Sequence, residues 1–206
     1  MANDPPADPL PDTPPAAEKA GPRLSVIVPM YNAEATIQRT LGSLKVIDPA
    51  HRAEVEVIVV DDGSTDQSAT LARKALDTLG LARTQLLDQA NRGSSGARNA
   101  GLAQATGQWV YLLDADDELN VDPIPIVSHH EGATMLMFTV LVYRHGQMHR
   151  RRRPPKITRQ NHLNVFSAGS PITPSRALLK RLAIERSFDE RFRTGEDWLF
   201  WIMNPG

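Results

Sequence analysis

The chain has 206 residues with 23 basic and 24 acidic side chains, a formal net charge of −1 and no cysteine. This length suffices for one substantial hydrophobic core, while the balanced charge excludes a whole-molecule attraction to nucleic acid and the lack of cysteine excludes disulfides and cysteine-based zinc sites. No apolar run approaches the roughly 18 residues of a membrane-spanning helix and the N-terminus lacks a signal-peptide pattern, so we expect a cytoplasmic protein without a nucleic-acid partner.

The first 22 residues differ in composition from the rest of the chain. They contain seven of the sixteen prolines and almost no large apolar side chains. Such a segment buries too little apolar surface to offset the entropy lost on ordering. We therefore expect a disordered, proline-rich tail over 1–22 and a folded domain over 23–206.

Strands and helices alternate along the next ninety or so residues. Short β-branched runs predict buried strands, and apolar residues at helical spacing predict the helices between them. The predicted elements are a strand at Leu24–Pro29 stopped by its proline, a helix capped by Asn32 and running to about Val46, a strand at Val55–Val60, a helix capped by Ser64 or Thr65 and ended by Gly80, a strand at Thr84–Leu87, and a helix that follows the turn after Asn91 and ends near Gly107. This alternation predicts an α/β fold with a mostly parallel sheet flanked by helices.

The fourth predicted strand ends in a group of acids. Five apolar or aromatic residues, 109–113, precede Asp114, Asp116 and Asp117. Three ionised carboxylates this close repel one another, so we expect a cation, Mg²⁺ or Mn²⁺, with a substrate diphosphate completing its coordination. An isolated Asp-x-Asp is more often a solvated loop that caps a following helix. Here, however, the ends of three parallel strands share one sheet edge, where open α/β sheets bind ligands.

The pattern changes after residue 122. Ala133–Tyr143 predicts a long strand, and a turn at His145-Gly146 predicts a second strand over Gln147–Arg153 that is antiparallel and appended to the sheet. Residues 154–173 are predicted to be a loop, Pro174–Leu182 a short amphipathic helix, and Gly195-Glu196-Asp197-Trp198 the start of an acidic helix.

Five segments together resemble the family 2 glycosyltransferases, which have the Rossmann-like GT-A fold. They are Ser25-Val-Ile-Val-Pro-Met-Tyr-Asn32, Val59-Val-Asp-Asp-Gly-Ser-Thr-Asp66, Asn91-x-Gly-x-x-x-Ala-Arg-Asn-x-Gly101, Leu113-Asp-Ala-Asp-Asp117 and Gly195-Glu-Asp-Trp198, in the order and spacing of that family. The resemblance implies a nucleotide-sugar donor, with UDP as the expected nucleotide, and a divalent cation, Mn²⁺ or Mg²⁺. It also implies transfer with inversion at the anomeric carbon.

The same resemblance implies roles for individual residues in donor binding. Asp62 resembles the residue that accepts the imide N–H of uracil. Pro29, Tyr31 and Glu34 resemble the residues that frame the base and ribose, and Arg98 resembles a contact to the base or diphosphate. Asp114, with Ala115 beside it, resembles the ribose-contacting acid, and Asp116 resembles the metal ligand. Asp117 is expected to cap or orient the loop rather than bind the metal.

Inversion requires a base that removes the proton of the acceptor hydroxyl, on the sugar face opposite the leaving group. Asp197 is the first candidate, because the start of a helix favours an ionised carboxylate. Glu196 is the reserve candidate. Without the upstream segments, both would be ordinary first-turn acids of a helix.

Members of this family normally continue beyond the acidic helix into acceptor-binding elements, whereas this sequence ends nine residues after Asp197. We therefore expect a domain truncated on its acceptor side, with reduced or absent activity on its own and a saccharide, lipid-linked or protein acceptor. The alternatives are a catalytically impaired nucleotide-sugar-binding module and a sugar-phosphate nucleotidylyltransferase. The latter would require a glycine-rich basic loop after the first strand, which this sequence lacks.

The sequence has one basic cluster, which comprises Arg144, Arg150–Arg153, Lys156 and Arg159. Most such runs are solvated strand ends. The functional alternative is contact with an anionic acceptor, or peripheral contact of Arg150–Arg153 with the anionic inner face of a membrane.

Overall fold

The computed structural model describes residues 21–144, 147–152, 175, 177–192 and 195–204. Nearly all of the predicted tail and the whole predicted loop at 154–173 lie outside these residues. The strands and α-helices are β1 (Leu24–Met30), α1 (Ile37–Ser43), β2 (Val55–Asp61), α2 (Ser68–Asp77), β3 (Arg83–Asp88), α3 (Gly93–Gln104), β4 (Trp109–Leu112), α4 (Ile124–His129), β5 (Met135–Met137), β6 (Val140–Arg144), β7 (Gln147–Arg152), β8 (Ala177–Lys180) and α5 (Glu196–Met203).

A six-stranded sheet in the order β3-β2-β1-β4-β8-β5 forms the centre of the fold. The first four strands are parallel, and β1 lies between β2 and β4. β8 is antiparallel to both β4 and β5. The predicted α/β class with a mostly parallel sheet is confirmed. The strand order reverses direction at β1 and β4, and such a switch point opens a crevice at the carboxyl ends of the strands.

Both faces of the sheet are buried, which explains the uninterrupted apolar runs in its strands. Alternate residues belong to two separate apolar clusters. Val26, Val28, Val57 and Val59 pack with α1 and α2, whereas Ile27, Ile58 and Val60 pack with α3 and α5. The two helix layers therefore hold the sheet from opposite sides and fix the loops at its carboxyl edge.

Helix α3 lies unusually close to β1, and Gly101 permits this contact. A Cβ at position 101 would lie 2.3 Å from Ile27 Cγ2, well inside van der Waals contact. Only glycine therefore allows α3 to approach the sheet at this distance. This packing sets the position of Arg98, three residues earlier on the same helix.

The predicted helix over Pro174–Leu182 is wrong, because residues 177–180 form the strand β8. Leu178 and Leu179 are fully buried, but they belong to the two different apolar clusters. Consecutive side chains reach opposite faces only in a strand. Burial between β4 and β5 thus overrides the helix preference of the local Ala-Leu-Leu sequence.

Pro29 does not stop β1, which continues to Met30. The ladder between β1 and β4 ends at Ile27 and Leu112, so a proline two residues later removes no hydrogen bond to β4. On the other side, Pro29 still aligns with Val60 of β2. Proline is therefore tolerated near the end of this central strand.

Asn32 does not cap α1, and the α-helix ends at Ser43 rather than near Val46. The helix begins at Ile37 with Thr36 at the N-cap, and a 3₁₀ turn follows over Leu44–Val46. Asn32 instead adopts a left-handed φ of 47°. Its Oδ1 accepts a hydrogen bond from the backbone N–H of Thr65 at 2.9 Å, which joins the loop after β1 to the loop after β2.

Ser64 and Thr65 do not cap α2 either. The helix begins at Ser68, whose backbone N–H donates to Asp66 Oδ1 at 2.9 Å. Ser64 Oγ instead accepts from the backbone N–H of Asn32 at 2.9 Å. The polar residues of both loops are therefore used to connect the loops to each other.

The long strand predicted over Ala133–Tyr143 is divided into β5 and β6. β5 joins the main sheet beside β8, while β6 pairs antiparallel with β7 in a separate two-stranded sheet. The antiparallel pairing predicted for the second half of this region is confirmed, but the pair is not part of the main sheet. The predicted turn residues His145 and Gly146 lie outside the described residues.

Candidate active site

A cleft of about 570 Å³ lies at the carboxyl edge of the sheet, where β1, β2 and β4 end. It is lined by Pro29, Met30, Tyr31, Asn32, Ala33, Thr36, Asp62, Asn91, Gly93, Ser94, Ala97, Arg98, Asp114, Ala115 and Asp116. Seven of the predicted donor and metal residues are therefore brought to one cleft, although they come from four separate segments of the sequence. A cleft of this size accommodates a molecule of drug or nucleotide dimensions.

Asp62 lies at the end of β2 and is almost completely buried, with 3% of its surface exposed. Its Oδ1 accepts from Gln89 Nε2 at 2.7 Å and from the backbone N–H of Arg92 at 2.8 Å. Its Oδ2 accepts from the backbone N–H of Gly93 at 2.7 Å, at the start of α3. A carboxylate offers about four acceptor positions, so these three bonds leave Asp62 able to accept one more donor.

Arg98 connects the two acidic parts of the site. Its side chain is only 8% exposed, and its Nη2 donates to Asp114 Oδ1 at 3.0 Å while its Nη1 donates to Glu196 Oε1 at 3.0 Å. The guanidinium carbon also lies 5.3 Å from the centre of the Phe188 ring. Because both terminal nitrogens and the planar face are engaged, Arg98 holds a fixed orientation at the wall of the cleft.

The acidic loop after β4, residues 114–119, is held from outside at nearly every position. The backbone N–H of Asp114 donates to Ser175 Oγ at 2.9 Å, and that of Leu119 donates to Ser43 Oγ at 2.9 Å. The carbonyl of Ala115 accepts from Thr40 Oγ1 at 2.8 Å, and that of Asp116 accepts from Arg39 Nη2 at 3.3 Å. Three of the four outside partners are on α1. This helix therefore determines where the carboxylates of the loop lie.

The charges of the acidic loop affect one another. Desolvation raises the pKa of the Asp117 carboxyl, and repulsion from Asp114 and Asp116 raises it further, while a hydrogen bond with Ser175 acts in the opposite direction. The backbone N–H of Asp117 donates to the carbonyl of Asp114 at 3.0 Å, which closes a tight turn. These contacts agree with a role for Asp117 in orienting the loop.

The described residues contain no group of three or more His, Cys, Asp or Glu side chains arranged to hold a metal ion. Asp116 is exposed and lines the cleft. One carboxylate with substrate phosphates and water is a common way for proteins to bind Mg²⁺, whereas a site made only of protein ligands requires more. The donor set therefore fits a cation that arrives with a diphosphate.

Glu34 is not among the residues that line the cleft. Its Oε2 accepts from the backbone N–H of Gln67 at 3.1 Å, just before α2, and its own N–H donates to Asp66 at 3.2 Å. By contrast, Pro29 and Tyr31 line the cleft, and Tyr31 is 51% exposed. Of the three residues expected to frame the base and ribose, two therefore line the cleft and Glu34 does not.

Glu196 and Asp197 form the first turn of α5, as predicted, and Gly195 precedes them with a φ of 77°. Glu196 Oε1 accepts from Ser94 Oγ at 2.8 Å as well as from Arg98. Asp197 is half-buried. The bonds of Glu196 join α5 to α3 and place Glu196 beside Arg98, although neither Glu196 nor Asp197 is among the residues that line the cleft.

Several residues that build the site were given no role by the sequence, although one of them, Asn99, is a fixed position of the Asn91–Gly101 segment. Ser175 comes from a segment 61 residues after Asp114 and contributes through its hydroxyl. Asn99 binds the backbone of Phe188 with both ends of its amide, at 2.9 and 2.8 Å, and so holds the ring against Arg98. Ser94 occupies an unspecified position of the Asn91–Gly101 segment. Only the folded chain brings these residues to the cleft.

The sequence profile described as Glycosyl transferase family 2 matches residues 25–197. The chain belongs to glycosyltransferase family 2. The match covers most of the chain and includes the five segments on which the resemblance was based, except for Trp198 at the end of the last one. The expected family and its fold are therefore confirmed.

Relatives of this family 2 chain are named as glycosyltransferases. The poly(ribitol-phosphate) β-N-acetylglucosaminyltransferase TarS of Staphylococcus aureus Mu50 is 34% identical over 185 residues, which cover 86% of this chain and 31% of TarS. A crystal structure of TarS residues 1–349 in complex with UDP-GlcNAc has a TM-score of 0.71 at 27% identity, and the match covers 88% of this chain and 53% of that one. The chain thus spans about a third of full-length TarS.

A more distant structure shares the fold of this chain. The mannosyltransferase PcManGT from Pyrobaculum calidifontis, solved with GDP-Man and Mn²⁺, has a TM-score of 0.62 at 24% identity, over 90% of this chain and 52% of that one. In the part of our chain that the structure describes, no helix is both long and apolar enough to cross a membrane.

Proposed function

We propose that the chain transfers a sugar from a UDP-sugar to an acceptor hydroxyl, with inversion at the anomeric carbon and with help from a divalent cation. The observation that carries this proposal is the position of Arg98, which lines the cleft and bonds both the acid after β4 and the first acid of α5. Donor-binding and base candidates are thereby brought together, as transfer chemistry requires.

The donor nucleotide is proposed to bind at the β1 and β2 side of the cleft. Asp62 has capacity for one further donor, which suits the single imide N–H of uracil, and Tyr31 offers an exposed ring beside it. Asp114 is proposed to contact the ribose from the opposite side. The UDP-GlcNAc complex of TarS supports a UDP-sugar over other nucleotides for this chain.

Asp116 is proposed to hold the divalent cation, Mn²⁺ or Mg²⁺, together with the donor diphosphate. When bound, such an ion supplies a positive charge that stabilises the departing UDP. A cationic residue of the chain itself balances other negative charges near the cleft. The positive charge of Arg98 offsets the negative charges of Asp114 and Glu196, which reduces their repulsion of an anionic donor.

Asp197 is proposed as the base, because it lies in the first turn of α5, where the helix dipole favours an ionised carboxylate. In the transfer step, Asp197 takes the proton of the acceptor hydroxyl while the oxygen of that hydroxyl forms a bond to the anomeric carbon. The bond between that carbon and the β-phosphate oxygen breaks, and its electron pair leaves with UDP. Glu196 would then position Arg98 rather than exchange a proton.

A nucleotidylyltransferase is not favoured by the loop after β1. Residues 31–36 contain no lysine, arginine or glycine with which to hold a triphosphate. Donor binding without transfer is the other alternative, and it predicts full donor affinity without turnover.

The proposal is tested by measuring melting temperature with UDP, UDP-GlcNAc and other sugar nucleotides, each with and without Mn²⁺, followed by turnover with a panel of acceptors. We expect nucleotide and metal together to stabilise the protein more than the two separately, because they share one site. Asp116→Asn should remove only the metal-dependent part. Absence of any nucleotide-dependent shift would contradict the proposal, and a shift without turnover would leave a binding module.

A further inference from the structure

The hydrogen bonds of Asp62 are divided unequally between its two carboxylate oxygens. Within the described residues, Oδ1 accepts from Gln89 Nε2 at 2.7 Å and from the backbone N–H of Arg92 at 2.8 Å, whereas Oδ2 accepts from the backbone N–H of Gly93 at 2.7 Å. Each oxygen of a carboxylate offers about two acceptor positions. Oδ1 is therefore filled, and the open acceptor position of Asp62 is on Oδ2.

Gln89 supplies the one side-chain donor among these three. The other two are backbone N–H groups at the start of α3, which almost any residue at positions 92 and 93 would provide. The identity of residue 89 therefore determines whether Oδ1 is filled. Asp62 lines the cleft and Gln89 does not, so Gln89 is placed to influence a ligand through Asp62.

The backbone on both sides fixes the position of Gln89. It directly follows β3, and its N–H donates to the carbonyl of Asp61, the residue before Asp62, at 3.0 Å. The loop after β2 passes close by at Gly63, where φ is 78° and a Cβ would lie 3.3 Å from the carbonyl oxygen of Gln89. The two loops together place the Gln89 amide within reach of Asp62.

The number of open acceptor positions on Asp62 determines which base edge can pair with it. Uracil presents a single N–H, that of its imide, between two carbonyl oxygens. Guanine presents two adjacent donors, its ring N–H and its exocyclic amino group, which together suit a carboxylate with both oxygens open. With Oδ1 filled, the amino group of guanine would lose its water without gaining a partner, which weakens binding.

We propose that Gln89 determines base specificity, because it fills Oδ1 of Asp62 and so selects a base with one donor, uracil, over a base with two, guanine. This inference rests on the proposed function, since it takes Asp62 as the acceptor of the base N–H. In the alternative, Gln89 only supports Asp62 at the start of α3. Its loss would then weaken the binding of all nucleotides in the same proportion.

The test compares the wild-type protein with Gln89→Met, whose side chain has nearly the same length and shape but no donor. Gln89→Ala repeats the comparison with the space beside Oδ1 left open. Gln85→Met is the matched control, because Gln85 is an exposed glutamine of β3 that does not line the cleft. Calorimetric titration gives the affinities of UDP, GDP and inosine diphosphate, each with Mn²⁺. Hypoxanthine, the base of inosine diphosphate, is guanine without the amino group, so the ratio of the two purine affinities isolates that group from ring size.

We expect the wild-type protein and Gln85→Met to bind UDP most tightly and to bind GDP no more tightly than inosine diphosphate. In the two Gln89 variants, the affinity for GDP relative to inosine diphosphate should rise at least about tenfold, because the amino group gains a charged acceptor. An unchanged ratio in both variants would overturn the inference, and so would a failure of both variants to bind either purine nucleotide. If UDP does not bind the wild-type protein, the proposed function fails too. If UDP binds and the ratio stays the same, only this inference fails.

Discussion

Arg98 Nη1 lies 3.0 Å from Glu196 Oε1, a contact between two residues that are 98 positions apart in the sequence. It joins helix α3 to the first turn of α5. The other terminal nitrogen of the same guanidinium holds Asp114. A single buried cation therefore fixes the position of the acidic loop after β4 relative to the first turn of α5.

Arg98→Met should destabilise the protein and prevent donor binding. Removing the cation leaves two acids facing each other in a largely buried environment, and breaking a buried pair in this way costs about 3 kcal/mol. Urea unfolding measures the loss of stability, and calorimetric titration with UDP and Mn²⁺ measures binding. Arg98→Lys is the control, since it retains the charge but cannot bond both acids with a planar fork. If Arg98→Met binds the donor as tightly as the wild-type protein, the connecting role is wrong.

Asp197→Asn should lower kcat far more than Glu196→Gln. A positioned general base contributes about 10²–10⁴-fold to the rate, and the amide cannot take the proton. Glu196→Gln keeps an acceptor for Ser94 and Arg98 but loses the charge, so its main effect should be on stability and KM. Steady-state kinetics with an active acceptor measures both variants, and UDP binding should remain close to normal in Asp197→Asn. A larger loss of kcat in Glu196→Gln would reverse the assignment.

Thr40→Val should weaken metal-dependent binding more than binding of UDP alone. Thr40 is fully buried, and its hydroxyl donates to the carbonyl of Ala115, between the two functional acids. Valine has nearly the same shape without the donor, so the acidic loop loses an anchor at a cost of about 1 kcal/mol in unfolding free energy. Calorimetry with UDP, with and without Mn²⁺, gives the two affinities.

Thr40→Ser should restore most of the Mn²⁺ effect, because it keeps the hydroxyl. Thr78→Val is a control for the loss of such a hydroxyl away from the loop, since the exposed Thr78 also donates to a backbone carbonyl, that of Ala75, at the end of α2. A proportional loss of both affinities in Thr40→Val would indicate general destabilisation instead of a specific effect on the loop.

His51→Gln should reduce stability more at about pH 6 than at about pH 8. The hydrogen bond to Asp122, 2.7 Å from Nδ1, raises the pKa of His51, and the charges of Asp122, Asp48 and Glu54 act in the same direction, while desolvation opposes them. A raised pKa in the folded protein means that the stabilisation is complete below the unfolded pKa of about 6.5 and is lost as the pH rises through the folded value.

The ionisation of the partner acid, Asp122, sets a second limit to this stabilisation, at low pH. The pKa of Asp122 is lowered, with the His51 hydrogen bond and two backbone N–H donors outweighing desolvation, so its contribution is lost only as the pH falls through that lowered value. Urea unfolding of both proteins across this range measures the difference. An equal difference in stability at both pH values would show that the contact does not depend on the charge of His51.

The strands and the acids at their ends could be predicted from the sequence because the signals are local. Val55–Asp61 is uniformly buried, and a run of β-branched residues ended by acids indicates this directly. Parallel strands then place Asp62, Asp114 and Asp116 at one edge without further information. The prediction of the cleft depended on this topology alone.

The errors arose where tertiary contacts decide the conformation. Asn32 resembles a helix cap, but it bonds to the loop after β2, and no local pattern reveals that partner. Residues 177–180 are helix-favouring by composition and become a strand because an open edge of β4 receives them. Ser175 could not be predicted as part of the site, since its role depends on the backbone of Asp114.

The insertion of β8 between β4 and β5 has a consequence for the order of folding during synthesis. β5 pairs with β8 and with no other described strand of the main sheet, and Ala177 is forty residues after Met137. A nascent chain can complete β1 to β4 early, but one edge of β4 stays unpaired until β8 leaves the ribosome. Such an edge can associate with other chains. Ser175 also arrives at this late stage, so the acidic loop reaches its final position only when the sheet closes.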